Sequence, residues 1–317
     1  MDGVKDIEYL AARLHGRRAR LAEGARLRAL CALGSTAALA EALLPGSGIK
    51  EAAPLQRALA GRLAAEVLEI ADSLAGPLGE FVCGECDRFR LENIKTAARF
   101  LESGREGAAP EELFIRLPAE LGCGPELAAA GSREELVSLV PAGPLRSGLF
   151  RVYTRQPTPA PVFALETALE RGRLEYAAEL AGRLGGRDGE AASLFCRLNT
   201  ALFGALLAAR LRLTPGAGDA AEPVSAKALT EEAFVLAGLA AAGEAPADPE
   251  LSAWAIYSGL AGRYFRRWHM TFGAALFYLA LRLNELRALG TVSEGLRLKI
   301  PAGELAVLAG SAGDADV

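Results

Sequence analysis

Apolar residues in this chain recur with a period near 3.6 almost from end to end, which confines them to helical stripes. The plainest case is 272–300, FGAALFYLALRLNELRALGTVSEGLRLKI. There Phe272, Leu276, Leu279, Leu283 and Leu286 follow one another at spacings of four, three, four and three. This puts them on one face of a helix. Arg282, Glu285 and Arg287 stand off that stripe, where a solvated charged edge is expected. Gly290 is expected to stop the helix, because Gly enters a left-handed cap without a Cβ penalty. Ser293, Leu296, Leu298 and Ile300 then form a short second element running into Pro301. Leu55, Leu59, Leu63, Val67, Ile70 and Leu74 repeat the pattern behind Pro54, a residue tolerated in a first turn. That helix should span about 20 residues, or about 30 Å.

Composition agrees with an all-α fold. Hydrophobic residues make up 51% of the chain, mostly Ala and Leu, which are strong helix formers. Ile and Val are scarce beside them, which argues against a large sheet. The net charge of −4 leaves no basic surplus to grip a phosphate backbone, so nucleic acid is not an expected partner. Arg does cluster locally, in HGRRAR (15–20) and RYFRRWH (263–269). The charged N-terminus lacks the apolar core of a secretory signal. The longest uncharged run near the C-terminus, 268–281, is short of the roughly 20 residues a spanning helix needs. A soluble or peripheral protein is expected. Five cysteines, an odd count in a long chain, fit a reducing cytoplasm better than a disulfide framework.

The punctuation predicts a succession of helices. Asp6 caps IEYLAARLHGRRARLAE, with Leu10, Leu14 and Leu21 turned inward, and Ser35 caps TAALAEALL. After GPLG, one helix is expected over FVCGECDRFRLENIKTAARFLES (81–103). A charged hinge at 104–112 and a broken stretch, PAELGCGPEL, precede a helix whose Ser132 and Glu135 read as a capping box holding Leu136 and Leu139. Turn-rich segments flank LRSGLFRVY. A helix pair is expected from PVFALETALERG through RLEYAAELAGRL. GGRDG breaks it before EAASLFCRLNTALFGALLAARLRL. TPGAGDAAEP (214–223) is the clearest linker. Helices over 226–242 and 251–265 lead into the closing stretch.

Little in the sequence asks for catalysis or a cofactor, and no catalytic, cofactor-binding or metal-binding residue is assigned. PGSGIKE (45–51) has the wrong spacing for a phosphate-binding loop and no Ser or Thr after Lys50. Cys83 and Cys86 form a CxxC with Cys123 37 residues on, but no His stands near to complete a zinc set. They read as structural cysteines, and if 83–86 is helical they share one face. Glu80, Glu85 and Asp87 read as a solvated acidic face. His15 and His269 read as surface or packing residues.

Three segments echo one another: FRLENIKTAAR (89–99), CRLNTALFGAL (196–206) and LRLNELRAL (281–289). YLALRLNELRALGTVSEGLRLKIP resembles the C-terminal signature of the C-type rotor subunits of V/A-type ATP synthases, the d-type subunits of eukaryotic V-type ATPases. Tyr278, Leu283, Leu286 and Arg287 stand where that signature has Tyr, an aliphatic, Leu and Arg. LENIKTAAR is similar to the family's first-repeat segment, with Asn93, Lys95 and Arg99 in register. PAELGCGPEL with SREELVSLV is similar to its connector. Arg282, Glu285 and Arg90 depart from the family's Glu, Asn and Asp, and Ala205 replaces an Arg after Asn199. The resemblance implies three similar helical units around a pseudo-threefold axis, funnel-shaped, set at 1–108, 109–218 and 219–309, with a disordered acidic tail at 310–317. It implies a non-catalytic rotor subunit on the cytoplasmic face of the membrane, without a membrane span. Its partners would be the central-stalk coiled coil and the membrane rotor ring of an ion-pumping or ATP-making complex, with Asn93, Lys95, Arg99, Arg282, Glu285 and Arg287 as interface residues. An all-helical scaffold or partner-binding module of another kind is the alternative.

Overall fold

A computed structural model describes residues 7–103, 109–155, 162–213 and 248–310, with side chains through residue 210 in the third of these segments. The protein is all-helical, and no strand occurs among the described residues. The chain divides into two compact units, one of Ala64–Pro249 and one of Asp6–Leu63 with Glu250–Val317. The expected linker at 214–223, the helix at 226–242 and the tail from 311 lie outside the described residues, as does Asp6.

The second unit opens with α1 (Ile7–Arg18), α2 (Gly24–Cys31) and α3 (Thr36–Leu43). A single helix was expected through Glu23. Instead α1 ends at Arg18 and α2 starts afresh at Gly24, which takes φ +49. Leu10, Leu14 and Leu21 are buried as the spacing requires. Ser35 Oγ accepts the Ala38 amide at 3.2 Å, so the predicted cap is present. α4 (Ala52–Asp72) runs 21 residues, and all its spaced apolar residues and Leu74 after it are buried. Leu55 and Leu59 from its first part join Leu27, Leu39, Leu289, Val292 and Leu305 in this unit's core.

α11 (Pro249–Arg267), α12 (Phe272–Arg297) and α13 (Ala302–Leu308) complete the unit. α12 corrects the expected stop at Gly290. It continues for 26 residues through that glycine and takes in Ser293 and Leu296. Nor is its first half a single stripe: all ten residues from Phe272 to Leu281 are buried, whereas Leu283 and Leu286 are only half-buried. A helix apolar on every side belongs inside a protein rather than on its surface. α1 packs along α12, and α13 folds back on α2 and α12. Gly295 makes that return possible, because an added Cβ would overlap the Leu305 side chain.

The first unit holds the rest of α4, then α5 (Gly76–Gly84) and α6 (Asp87–Glu102). The single helix expected over 81–103 is broken at Glu85–Cys86, so Cys83 and Cys86 do not share a helix. α7 (Arg133–Leu139) has the predicted cap, with Ser132 Oγ accepting from the Glu135 amide at 3.1 Å. The Glu135 carboxylate accepts from Gly131 N at 2.7 Å. Leu136 is fully buried, but Leu139 is exposed, against expectation. α8 (Pro144–Arg155) follows. α9 (Val162–Gly182) is one helix, not the expected pair, because Gly172 sits in it without breaking it. α10 (Gly186–Leu213) packs on α9, which also contacts α5, α6 and α8. The stretch Gly186–Arg210 is long and apolar enough, by length and composition, to cross a bilayer, and 56% of its most apolar window is buried in the protein. The core of this unit gathers Leu91, Ile94, Leu127, Leu136, Leu149, Leu165 and Leu169.

Candidate functional site

The densest polar chemistry lies where α5, α6 and α9 meet. α9 carries Glu166, Glu170 and Arg173 at spacings of four and three, which puts them on one face. Arg173 is only 3% exposed. Its Nη2 donates to Glu170 Oε1 at 2.6 Å, and its Nη1 lies 3.8 Å from Glu85 Oε2. Lys95 Nζ donates to Glu92 at 2.8 Å and to Glu170 at 3.4 Å. Arg88 approaches Glu85 at 3.8 Å and donates to Asn199 Oδ1 at 3.0 Å. Burial alone would raise the Glu170 carboxyl, but the charges of Arg173, Lys95 and Arg88 outweigh it and hold the group at about 2. The result is a chain of alternating charges that ties α6 and α9 to the break after α5.

A cleft of about 320 Å³ opens beside this network, within the same unit. Asp87 and Arg90 from α6 line it, with Glu80 from α5, Tyr176 from α9, the thiol-bearing Cys83 and Cys123, and the turn at 140–145. Arg90 Nη1 donates to Asp87 Oδ1 at 2.7 Å, and Arg90 Nε donates to the Leu121 carbonyl at 2.7 Å. Burial raises the Asp87 carboxyl, and the Arg90 bond only partly offsets this. The acidic face expected at 80–87 is therefore corrected: Glu85 and Asp87 are both 5% exposed and paired with arginines, and only Glu80 sits at the surface. The charges that looked solvated are withdrawn where the chain breaks between α5 and α6.

The six residues singled out in the sequence fall in two places. Asn93 is fully buried and ties down the connector after α6: its Oδ1 accepts the Ile115 amide at 2.7 Å, and its Nδ2 donates to the Ile115 and Cys123 carbonyls at 2.8 and 2.7 Å. Lys95 belongs to the charge network. Arg99, about half exposed, donates to Glu166 at 2.5 Å. In the other unit Arg282 pairs with Glu285, whose Oε1 accepts the Ala22 amide at 2.6 Å. Glu285 is thus buried, not on a solvated edge. Arg287 Nη2 donates to the Ala309 carbonyl at 2.9 Å and its guanidinium lies 5.5 Å from the Trp254 ring centroid, which clamps the end of α13.

The three echoing asparagines do three different jobs. Asn93 holds a connector, Asn199 bonds Arg88 and the Phe195 carbonyl, and Asn284 donates to Ser258 Oγ at 3.2 Å. Cys86 and Cys123 are buried and Cys83 is half-buried. Burial pushes the Cys123 thiol up to about 12 and raises Cys86 and Cys83 as well, so none is a ready thiolate. Among the described residues no three His, Cys, Asp or Glu side chains are grouped to hold a metal ion. His15 packs against Phe265 with ring centroids 4.5 Å apart, and His269 is exposed.

Sequence reasoning missed Arg173 and Glu170. The available signal was the acid–base spacing on α9, which is usually a solvated pairing. Its burial depends on α5 and α6, which arrive from nearly 90 residues away. A search of the chain against protein-family models and against curated proteins finds no match.

Proposed function

We propose that the chain is a non-catalytic coupling subunit of a V/A-type rotary ATPase, joining the central-stalk coiled coil to the membrane rotor ring on its cytoplasmic face. On this reading the segments 1–108, 109–218 and 219–309 are three similar helical units about a pseudo-threefold axis, forming a funnel. The observation that carries it is that 278–297, most of the stretch resembling the rotor-subunit signature, lies on one continuous helix, α12. At about 1.5 Å per residue that helix is about 39 Å long. Torque transmission needs a strut that does not shear. α12 supplies one, with ten consecutive buried residues and with α13 fastened to it through Gly295, Leu305 and Arg287. In the other unit the Arg173 contacts to Glu170 and Glu85 tie α9 to the break after α5. Of the six residues the resemblance marks, Arg99 offers partners the most surface, and Asn93 acts from inside by fixing its connector.

The test is to purify the tagged chain from membranes of its source organism in mild detergent and identify what accompanies it. Stalk and ring subunits of a rotary ATPase are the expected companions, and the isolated chain should not bind ATP in calorimetry. Recovery without any rotary subunit, or tight ATP binding, overturns the proposal. The division into two compact units favours a second reading, a free-standing helical scaffold. That reading predicts a partner set free of rotary subunits.

A further inference from the structure

The cleft beside the charge network has a polar wall and an apolar wall. The polar wall is the Asp87–Arg90 pair, with Tyr176 beside it. The apolar wall is the 140–145 turn, which presents Pro141, Ala142 and Pro144. In the pair, Arg90 Nη1 donates to Asp87 Oδ1, and Arg90 Nε donates to the Leu121 carbonyl. The remaining Nη2 of Arg90 and Oδ2 of Asp87 have no hydrogen-bond partner among the described residues. Both residues line the cleft and are joined by the Nη1–Oδ1 bond, so its wall carries a guanidinium donor next to a carboxylate acceptor. We propose that this cleft binds a small neutral molecule with an apolar body and an amide-type edge, its carbonyl accepting from Arg90 and its N–H donating to Asp87.

Charge selects the class. Asp87 and Arg90 neutralise each other, Asp87 is 5% exposed, and the third charged lining residue, Glu80, already faces the Arg183 guanidinium at 3.5 Å. A carboxylate ligand would set a second anion beside Asp87, and an ammonium ligand would set a second cation beside Arg90. Either would lose its hydration without gaining an unshared counter-charge. A neutral edge meets both wall groups with one hydrogen bond each and gives up far less hydration. Its body then covers the proline-rich turn and the Tyr176 ring, the usual make-up of a small-molecule site. The cleft volume of about 320 Å³ accommodates a ring-sized molecule. Its binding of such a molecule is independent of the rotor reading.

Saturation-transfer NMR and calorimetry on the full chain test it with three probes of similar size: benzamide, benzoate and benzylamine. Benzamide is expected to bind in the millimolar range or tighter, at least about tenfold better than either charged probe. Ala142→Phe adds a ring at an exposed turn position and should weaken benzamide by about tenfold or more, without lowering the melting temperature. Asp87→Asn should weaken it as well, by turning the acceptor edge into a mixed one. No benzamide binding, equal binding to Ala142→Phe, or tighter binding of a charged probe overturns the assignment.

Discussion

Arg173 Nη2 lies 2.6 Å from Glu170 Oε1, one turn back on α9, and both side chains are withdrawn from solvent. Glu85 faces the same guanidinium from the α5–α6 break. A buried pair of this kind is costly to form but far costlier to break. Arg173→Met should therefore lower unfolding free energy by about 3–5 kcal/mol, because the two withdrawn carboxylates lose the guanidinium between them and keep only the longer contacts to Lys95 and Arg88. Urea titration measures it. The double change Arg173→Met with Glu170→Leu should recover much of the loss, since it removes a charge of each sign.

The same pair sets an acid dependence. The Glu170 carboxyl falls from its ordinary 4.5 to about 2 in the fold, so the folded state prefers it ionised. Its contribution is complete above about 4.5 and is lost as pH falls through about 2; the shift corresponds to about 3 kcal/mol. Asp87 works in the opposite sense. Its carboxyl is raised in the fold, so falling pH favours the folded state through that group. Comparing Glu170→Gln with the parent by urea titration from pH 7 down to about 2 should show a gap that is widest at neutral pH and closes in acid.

Asn93 satisfies three backbone groups at once. Asn93→Leu fits the space but leaves all three without partners. A loss of about 3 kcal/mol or more is expected, at about 1–3 kcal/mol per orphaned buried group. The sharper readout is amide exchange, because the Ile115 N–H should lose protection more than the α6 amides do.

Two glycines on α12 should respond in opposite directions. A Cβ at Gly290 meets nothing within 4 Å, so Gly290→Ala should stabilise by about 0.5–1 kcal/mol. A Cβ at Gly295 overlaps Leu305, so Gly295→Ala should destabilise and loosen α13. Thermal melts of the two variants check the signs, and a stabilised Gly295→Ala would contradict the packing described.

Thiol labelling reports on the cleft wall. Cys31, Cys86, Cys123 and Cys196 are buried and Cys83 is half-buried. In the native protein at pH 8 a chromogenic disulfide reagent should label Cys83 slowly and the other four only on unfolding, because burial raises all five thiols.

The all-helical architecture was legible in the sequence because period and composition are local properties. The stripe at Leu55–Leu59–Leu63–Val67–Ile70–Leu74 and the caps at Ser35 and Ser132 need only neighbouring residues, and the fold has them as read. Breaks were harder to place. A glycine ends a helix only when its surroundings favour the turn, so Gly172 and Gly290 continue theirs, while α6 starts anew at Asp87.

What only the tertiary structure decided was which charges are buried. Glu85, Asp87, Glu170, Arg173 and Glu285 look like surface residues on any helical wheel, yet the fold withdraws them from solvent. Part of what offsets their desolvation is local, as in the three-residue pairs Asp87–Arg90, Glu170–Arg173 and Arg282–Glu285, and part comes from far along the chain, from Ala22 to Glu285 in one unit and from Glu85 to Arg173 in the other. Helical periodicity is set within a few residues, so the sequence alone determines it. Burial of those pairs, and the distant contacts that complete them, are set by which helices pack together, and only the folded chain decides that.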